Sequence, residues 1–392
     1  MVKTLADQRT SVGSIVPTTF TVSAYDNGFV IVGLSSLVEG LITRQIQRFA
    51  LRSSLVVNSE EIHDFTLNSN KKPLIVITNY RSGGNTGKRL TVKLSDKLRL
   101  NSSQFKDVEH TVLVMGGDGT VSWVLQEMDK LCYPTQNVPA VIVVPLGTGN
   151  DLARTFNYGG SCNEFSHLKK ILQGICYDHP ASVAYLDRWK LLMMPLTPSV
   201  DQIPSRKLIF NNYFSLGVDA KVSLRFHEAR ETHKKLYATQ CFNKYLWYPL
   251  HSLASMFHNT SLHEAVDVVV DGSALTVPAG LESIVFLNIP SYAAGSKPWK
   301  NVKATFLPQR TDDKVIEILG FKSLIHAACC RFGLSSCVQL AQGKQIYLKL
   351  KQSIAAQIDG EAFFQEACTI SITHHTQSKF YVCINRKKCR CC

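Results

Sequence analysis

The chain has 392 residues, 45% of them hydrophobic, and a formal net charge of +13. That length allows two domains with sizeable cores. The basic excess is spread out, which suits a nucleotide or an anionic membrane face; with no zinc-finger spacing and no RNA-binding aromatic signature, nucleic acid ranks last and is not expected as a partner. The 12 cysteines follow no framework spacing, which points to a reducing compartment and to mostly buried thiols such as Cys176 and Cys241.

Residues 1–70 carry no motif and read as an N-terminal extension, Thr/Ser-rich at its start. The apolar stretch 29–42 (FVIVGLSSLVEGLI) is too short to span a bilayer and is broken by Glu39, so it predicts a core helix; residues 34–51 also look helical, and no signal peptide is evident. A polar linker at 68–72 precedes a short strand at 73–78. That strand runs into Asn79, Tyr80, Arg81 and a glycine-rich turn ending at Lys88, which lacks the Gly-Lys-Ser/Thr ending of a Walker A loop.

Residues 112–115 (VLVM) predict a buried parallel strand, and residues 120–128 (TVSWVLQEM) a helix. Between them lie Gly116, Gly117, Asp118 and Gly119. A strand, a glycine turn and a helix start together make an anion cradle, because free N–H groups and the helix dipole favour negative charge. Asp118 would repel phosphate unless a Mg²⁺ ion or a proton transfer needs it, so the turn reads as nucleotide triphosphate plus metal. A third strand, 138–145, ends in Leu146-Gly147-Thr148-Gly149-Asn150-Asp151, with a helix from about Leu152. Three strands feeding three glycine turns define the ligand edge of an open parallel sheet.

Beyond Leu186 the texture changes. Segments 188–193, 208–214, 266–270, 283–289, 314–319, 345–350, 355–358 and 369–372 are short and β-leaning, with one charged helical stretch at 222–237. The fold class is therefore an α/β nucleotide-binding domain with a mainly parallel sheet, followed by an antiparallel β-sandwich domain. The expected boundaries are 71–185 for the first, 186–384 for the second, and 385–392 for a basic, cysteine-rich tail.

GGDGTVSWVL at 116–125 with VVPLGTGNDLAR at 143–154 resembles the catalytic domain of eukaryotic diacylglycerol kinases. The resemblance continues through Leu186-Asp187-Arg188-Trp189, NNYFSLGVDA at 211–220, Leu287-Asn288-Ile289-Pro290, Asp312-Asp313 and Ile358-Asp359-Gly360-Glu361. Sphingosine and NAD kinases share parts of this plan but not the full set. The resemblance implies ATP and Mg²⁺ as cofactors, diacylglycerol at the membrane surface as substrate, and transfer of the γ-phosphoryl to its hydroxyl, giving phosphatidic acid. It also implies a cytoplasmic protein peripherally associated with anionic membrane lipids.

Carried over by position, Asn79, Arg81, Gly116, Gly117, Gly119, Thr120, Gly147 and Thr148 line the phosphates. Asp118, Asp151 and Asp187 organise Mg²⁺. Asp359 or Glu361 accepts the proton of the lipid hydroxyl, with Asp118 the rival; the Asp359-Gly360 dipeptide also reads as a plain hairpin turn. Asp312 and Asp313 resemble a second, structural metal site, although Lys314 stands where glycine is expected. Arg225 and Arg230 could reach phosphates from the second domain, but the preferred reading of each is a solvated helix face.

Three departures from the family pattern stand out. Asn79 and Gly116 are closer in sequence than the family's usual strand and helix between them require. Ser122, Ala293 and Ala294 occupy positions usually held by, or richer in, glycine. No cysteine/histidine zinc module precedes the catalytic region. The tail NRKKCRCC (385–392) combines four cations with three cysteines; it is too short to close a four-ligand zinc site alone and reads either as a frayed end with free thiols or as a site of lipidation beside an anionic membrane. Other readings are a kinase for a sphingoid base or ceramide, or a non-catalytic lipid-binding member.

Overall fold

The computed structural model describes residues 20–26, 29–34, 74–79, 100–101, 111–130, 138–173, 183–196, 205–232, 262–300 and 304–383. They divide into two compact units, one comprising residues up to 147, 156–184 and 379 onward, the other 148–155 and 185–378.

The first unit is built on strands β1 (Phe20–Asp26), β2 (Phe29–Leu34), β3 (Leu74–Asn79), β4 (Leu100–Asn101), β5 (Thr111–Gly116) and β6 (Ala140–Pro145). Helix α1 (Asp118–Asp129) follows β5; α2 (Asp151–Thr155) falls in the second unit, and α3 (Phe165–Gln173) returns to the first. The strand order is β4-β1-β2-β3-β5-β6. Strands β2, β3, β5 and β6 run parallel, and β1 is antiparallel to both its neighbours. Every residue of β5 and β6 is buried. An unbroken apolar run, rather than alternation, is what a parallel strand covered on both faces requires. Val121, Val124 and Leu125 put the buried stripe of α1 at helical spacing.

Phe29–Leu34 is a strand, not the helix its apolar spacing predicts. It pairs with β1 on one side and with β3 on the other. Val30, Ile31 and Val32 are β-branched, and a place between two partners outweighs a short helical period. The predicted helix beyond Leu34, the turn carrying Arg81, the side chain of Arg230 and the tail 385–392 lie outside the described residues.

The second unit holds β7 (Val183–Pro195), β8 (Arg206–Phe210), β9 (Tyr213–Gly217), α4 (Val218–Thr232), α5 (Leu262–Ala265), β10 (Val266–Val270), β11 (Ser273–Leu275), β12 (Ser283–Leu287) and β13 (Ile316–Phe321). It continues with α6 (Leu324–Arg331), β14 (Val338–Gly343), β15 (Gln345–Leu350), β16 (Ile354–Ile358), β17 (Glu361–Gln365) and β18 (Cys368–Tyr381). The end of β18 returns to the first unit, where Phe380 pairs with Val141. One antiparallel sheet has the order β14-β13-β12-β9-β16-β17. A second antiparallel set runs β11-β10-β15-β18, with β7 and β8 alongside.

A single core joins the two sheets: Trp189, Phe210, Leu348 and Ile370 from one meet Phe214, Phe286, Ile318 and Ala356 from the other. This is the predicted sandwich. Along β15, QIYLKL alternates exposed and buried, as a strand with one core face must. The stretch 208–214 is two strands, not one, broken at Asn211 and Asn212. Strands β11, β14 and β17 carried no clear sequence signal: β14 (VQLAQG) holds two glutamines, and β17 is the last strand of its sheet. Among the described residues no helix is long and apolar enough to cross a membrane.

Strand β13 buries Glu317 completely. Its oxygens accept from Gln309 Nε2 (2.7 Å) and Gln342 Nε2 (3.1 Å). Burial pushes its carboxyl up to about 8, against the pull of both glutamines. The folded chain therefore holds a proton that the unfolded chain releases at the ordinary value of 4.5. The stability this contributes is complete below pH 4.5 and is lost as pH rises through about 8. Glu317→Gln keeps the neutral shape, and the Gln309 amide can flip to match it. We expect the variant to melt higher than the parent at pH 8 and to lose the slope between pH 5 and 8, measured by thermal denaturation across that range. An unchanged slope would show that Glu317 is not the group responsible.

Candidate active site

In the first unit, β3, β5 and β6 are adjacent and parallel, so Asn79, Gly116 and Pro145 end on one sheet edge. Leu146 N–H donates to Gly116 O at 3.0 Å, which ties the starts of two of the glycine turns together. Gly116 admits no side chain: an added Cβ would stand 2.5 Å from Cβ of the buried Thr120. Gly117 takes the N-cap position of α1 in an extended conformation, with no side-chain cap. The opening N–H groups of α1 are thus not claimed by a capping side chain, and Asp118 sits partly exposed in the first turn with Gly119 exposed beside it.

The second unit contains Thr148 to Asp151. Asn150 is left-handed (φ 54°) and buried. Arg154 Nε reaches back to Gly149 O at 3.2 Å. Asp151 is buried and both its oxygens are used: it accepts from Ser291 Oγ (2.5 Å), Ala294 N–H (3.0 Å) and Gly295 N–H (2.9 Å). Ala293, Ala294 and Gly295 all have positive φ, at 45°, 66° and 104°. That conformation costs an alanine about 1–2 kcal/mol, which explains why glycine is expected in this stretch. The Asp151 carboxylate offsets the strain by filling the nest of N–H groups those residues form.

A buried polar network links the remaining motifs of the second unit. Asn288 Nδ2 donates to Asp187 O (2.7 Å) and Asn211 O (2.6 Å), while its Oδ1 accepts from Trp189 Nε1 (2.8 Å). Arg188 Nε donates to Asn211 Oδ1 at 2.9 Å. Asp359 Oδ2 accepts from Asn211 N–H (2.9 Å) and Nδ2 (3.3 Å), and Oδ1 from Asn212 N–H (2.7 Å) and Tyr213 N–H (3.0 Å). Desolvation pushes the Asp359 carboxyl up to about 6, with the three N–H groups pulling down and Glu361 adding to the rise. Asp359 (φ 50°) and Gly360 (φ 90°) join β16 to β17 with Ile358 paired to Glu361. That is a two-residue hairpin of the type Asp-Gly favours. Glu361 is exposed.

Asp187 is equally occupied. It accepts from Lys314 N–H (2.6 Å), His374 Nε2 (2.9 Å) and Gln377 Nε2 (2.9 Å). Lys314 has φ 58°, so the position where the family pattern expects glycine does adopt a glycine conformation. Burial, then Asp187 and Asp312, raise the Asp313 carboxyl. Asp312 itself pairs with Arg310 at 3.0 Å.

Sequence reasoning gave no role to Asp219. It lies at the start of α4, buried, and its Oδ2 accepts from Ser215 Oγ (2.6 Å), Tyr292 Oη (2.7 Å) and Gln357 Nε2 (2.7 Å). Burial raises its carboxyl, against the pull of the Ser215, Tyr292 and Gln357 donors. A lone acid inside the apolar run FSLGVDA was the available signal. Just before it, Gly217 (φ 111°) leaves no room for Cβ, which would stand 2.1 Å from Glu282 O.

An α/β unit with a glycine turn before its helix, followed by a β-sandwich unit with acidic turns, is the arrangement that comparison with known proteins places in a family of lipid kinases. Residues 103–178 match the diacylglycerol kinase catalytic domain, and residues 209–362 match the diacylglycerol kinase accessory domain. The chain is 36% identical to "Diacylglycerol kinase 1" of Arabidopsis thaliana over 85% of its own length and 47% of that relative. It is 38% identical to "Diacylglycerol kinase iota" of Homo sapiens over 74% of its own length and 29% of that relative. The chain belongs to the diacylglycerol kinase family, and it spans less than half the length of these curated relatives. A solved structure described as a diacylglycerol kinase from Bacillus anthracis str. Sterne is 15% identical, covers 79% of this chain and 85% of that one, and superposes with a TM-score of 0.41, too low to argue a shared architecture.

Among the described residues no three His, Cys, Asp or Glu side chains gather closely enough to hold an ion. A Mg²⁺ carried with nucleotide phosphates needs only one or two carboxylates and water. Asp118, partly exposed in the first turn of α1 where no side chain caps the helix, is of the type that requirement calls for; Asp151 and Asp187 each accept three hydrogen bonds.

Proposed function

We propose that this protein transfers the γ-phosphoryl group of ATP to the free hydroxyl of diacylglycerol, giving phosphatidic acid and ADP in lipid second-messenger signalling. The observation that carries the reading is the Gly116–Thr120 turn: a glycine-only approach, an uncapped helix start and one carboxylate in its first turn. In this reading residues 71–185 form the ATP-binding domain, and residues 186–384 form the domain that serves the lipid. Gly117, Gly119, Thr120, Gly147 and Thr148 hold the phosphates, with Asn79 and Arg81 contributing from the first glycine turn.

Mg²⁺, when bound, would neutralise phosphate charge, and Asp118 would be the residue that holds it and positions the reacting groups. The lipid hydroxyl must lose its proton as its oxygen bonds to phosphorus and the bond to the ADP oxygen breaks. Four donors surround the Asp359 oxygens, and this reading gives the proton to Asp118 in the phosphate turn or to the exposed Glu361. We therefore assign Asp359, Asp151 and Asp187 to positioning the backbone. The protein works at the face of an anionic membrane, where its substrate resides.

The test is incubation of the full chain with γ-labelled ATP and Mg²⁺ against diacylglycerol, a sphingoid base and ceramide. Label in phosphatidic acid is the expected result. Label in a sphingoid phosphate or ceramide phosphate would move the assignment to another lipid alcohol, and no label in any lipid would make the chain a non-catalytic member.

A further inference from the structure

After β13 the second unit turns an apolar surface outward. Helix α6 has no fully buried side chain. Its inner side is anchored: Ala327 and Cys330 pack on a cluster containing Leu319 and Phe321, and His326 lies edge-on to Phe321 with ring centroids 6.0 Å apart. Its outer side carries Ile325, Ala328 and Phe332, spaced to share one helix face, with Leu334 just beyond. Ile325, Phe332 and Leu334 are 57%, 76% and 79% exposed. A surface helix ordinarily turns polar residues outward. Here residues 322–336 contain no carboxylate, and their only charged side chains are the exposed cations Lys322 and Arg331.

This tip is held in a fixed conformation. Ser323 Oγ caps the helix start by accepting from His326 N–H at 3.0 Å. At the other end Gly333 (φ 76°) donates to Cys330 O at 3.1 Å and Leu334 N–H to Cys329 O at 2.8 Å. That is a Schellman closure, in which the residue after the glycine commonly folds back onto the helix; Leu334 stays exposed instead. His326 joins the two ends, its Nδ1 accepting from Lys322 N–H (3.1 Å) and its Nε2 lying 3.0 Å from Ser336 O. The apolar residues are thus presented already ordered, which lowers the entropy lost on docking.

We propose that this tip is a membrane-docking surface: Ile325, Phe332 and Leu334 enter the headgroup–acyl boundary of an anionic bilayer, and Lys322 and Arg331 meet its phosphates. Charge complementarity selects the occupant. Bulky apolar side chains on a segment whose own charged residues are all cations match a surface that is apolar within and negative at its face. The lipid-kinase reading supplies the reason for such a surface, but the test needs no turnover.

The full chain is sedimented with vesicles of phosphatidylcholine and phosphatidylserine lacking diacylglycerol. Phe332→Ser with Leu334→Ser should weaken partitioning by about tenfold or more. Lys322→Gln and Arg331→Gln should each weaken it about fivefold at low salt and reduce its dependence on phosphatidylserine. A Phe332→Trp chain, which keeps the surface apolar, should shift its emission to the blue on vesicles and be quenched by brominated acyl chains. The double serine variant should phosphorylate detergent-dispersed diacylglycerol as the parent does; absence of that activity in the parent would overturn the kinase reading and leave the vesicle result standing. Parent-like partitioning of the double serine variant, or an emission that vesicles do not change, would overturn the proposal. So would a monomer–dimer equilibrium abolished by Phe332→Ser, which would give the surface to a second copy of the chain.

Discussion

An Asp118→Asn chain should melt where the parent does and turn over its lipid substrate about 10²–10⁴ times more slowly. The stability half of this expectation follows from position. Asp118 is partly exposed in the first turn of α1, and its charge favours that helix end by about 0.3–1 kcal/mol. Asparagine keeps the shape and an amide oxygen that can still accept, and gives up the charge. The catalytic half follows from what the turn otherwise lacks. Glycines and N–H groups can hold phosphate, but none of them can orient a cation or take a proton. Steady-state rates at saturating ATP across a Mg²⁺ titration, beside melting curves, separate the two halves. Turnover close to the parent's at every Mg²⁺ concentration would remove Asp118 from the chemistry; a large fall in melting temperature would make it structural.

The features that sequence made plain are those whose cause is local. VLVM before Gly116 and AVIVV before Pro145 are continuous apolar runs, and they are the buried parallel strands β5 and β6. The glycines at 116 and 117 are followed directly by helical spacing, and the turn and α1 lie there. What stayed hidden depends on partners far away in the chain. Asp359 meets Asn211 across an interval of 148 residues, and Asp151 meets Ser291 across 140. No periodicity encodes such pairings, so the sequence offers these carboxylates as candidate metal or proton groups without showing the donors that meet their oxygens across the fold. Phe29–Leu34 misled for the same reason: its helical spacing is local, whereas its two strand partners are not. The Ala293-Ala294 and Lys314 departures had a physical meaning that only backbone angles reveal, since each occupies a left-handed position. Asp219 was passed over because its three donors come from β9, the residues after β12, and β16.

Asp359→Asn is expected to destabilise the second unit by about 3 kcal/mol, or roughly 6–12 °C in melting temperature. An ionised carboxylate has about four lone-pair sites, and Asp359 uses them on four donors, the N–H groups of Asn211, Asn212 and Tyr213 and the side-chain amide of Asn211. An asparagine oxygen can serve one pair of these. Its NH₂ group then faces the other pair, donor against donor, and leaves at least one N–H unsatisfied in a desolvated turn. The Asn211–Asn212 break between β8 and β9 loses its anchor, and Asn211 is also the partner of Arg188 and Asn288. The strain therefore reaches the network that holds the Asp187 backbone. If Asp359 acts only by positioning, turnover per folded molecule should fall modestly and recover on cooling, while the Mg²⁺ dependence stays that of the parent. Melting curves with rates taken well below the transition decide the matter. A variant that melts as the parent does, yet turns over more than about a hundredfold more slowly at every temperature, would return the proton to Asp359 and withdraw its positioning role.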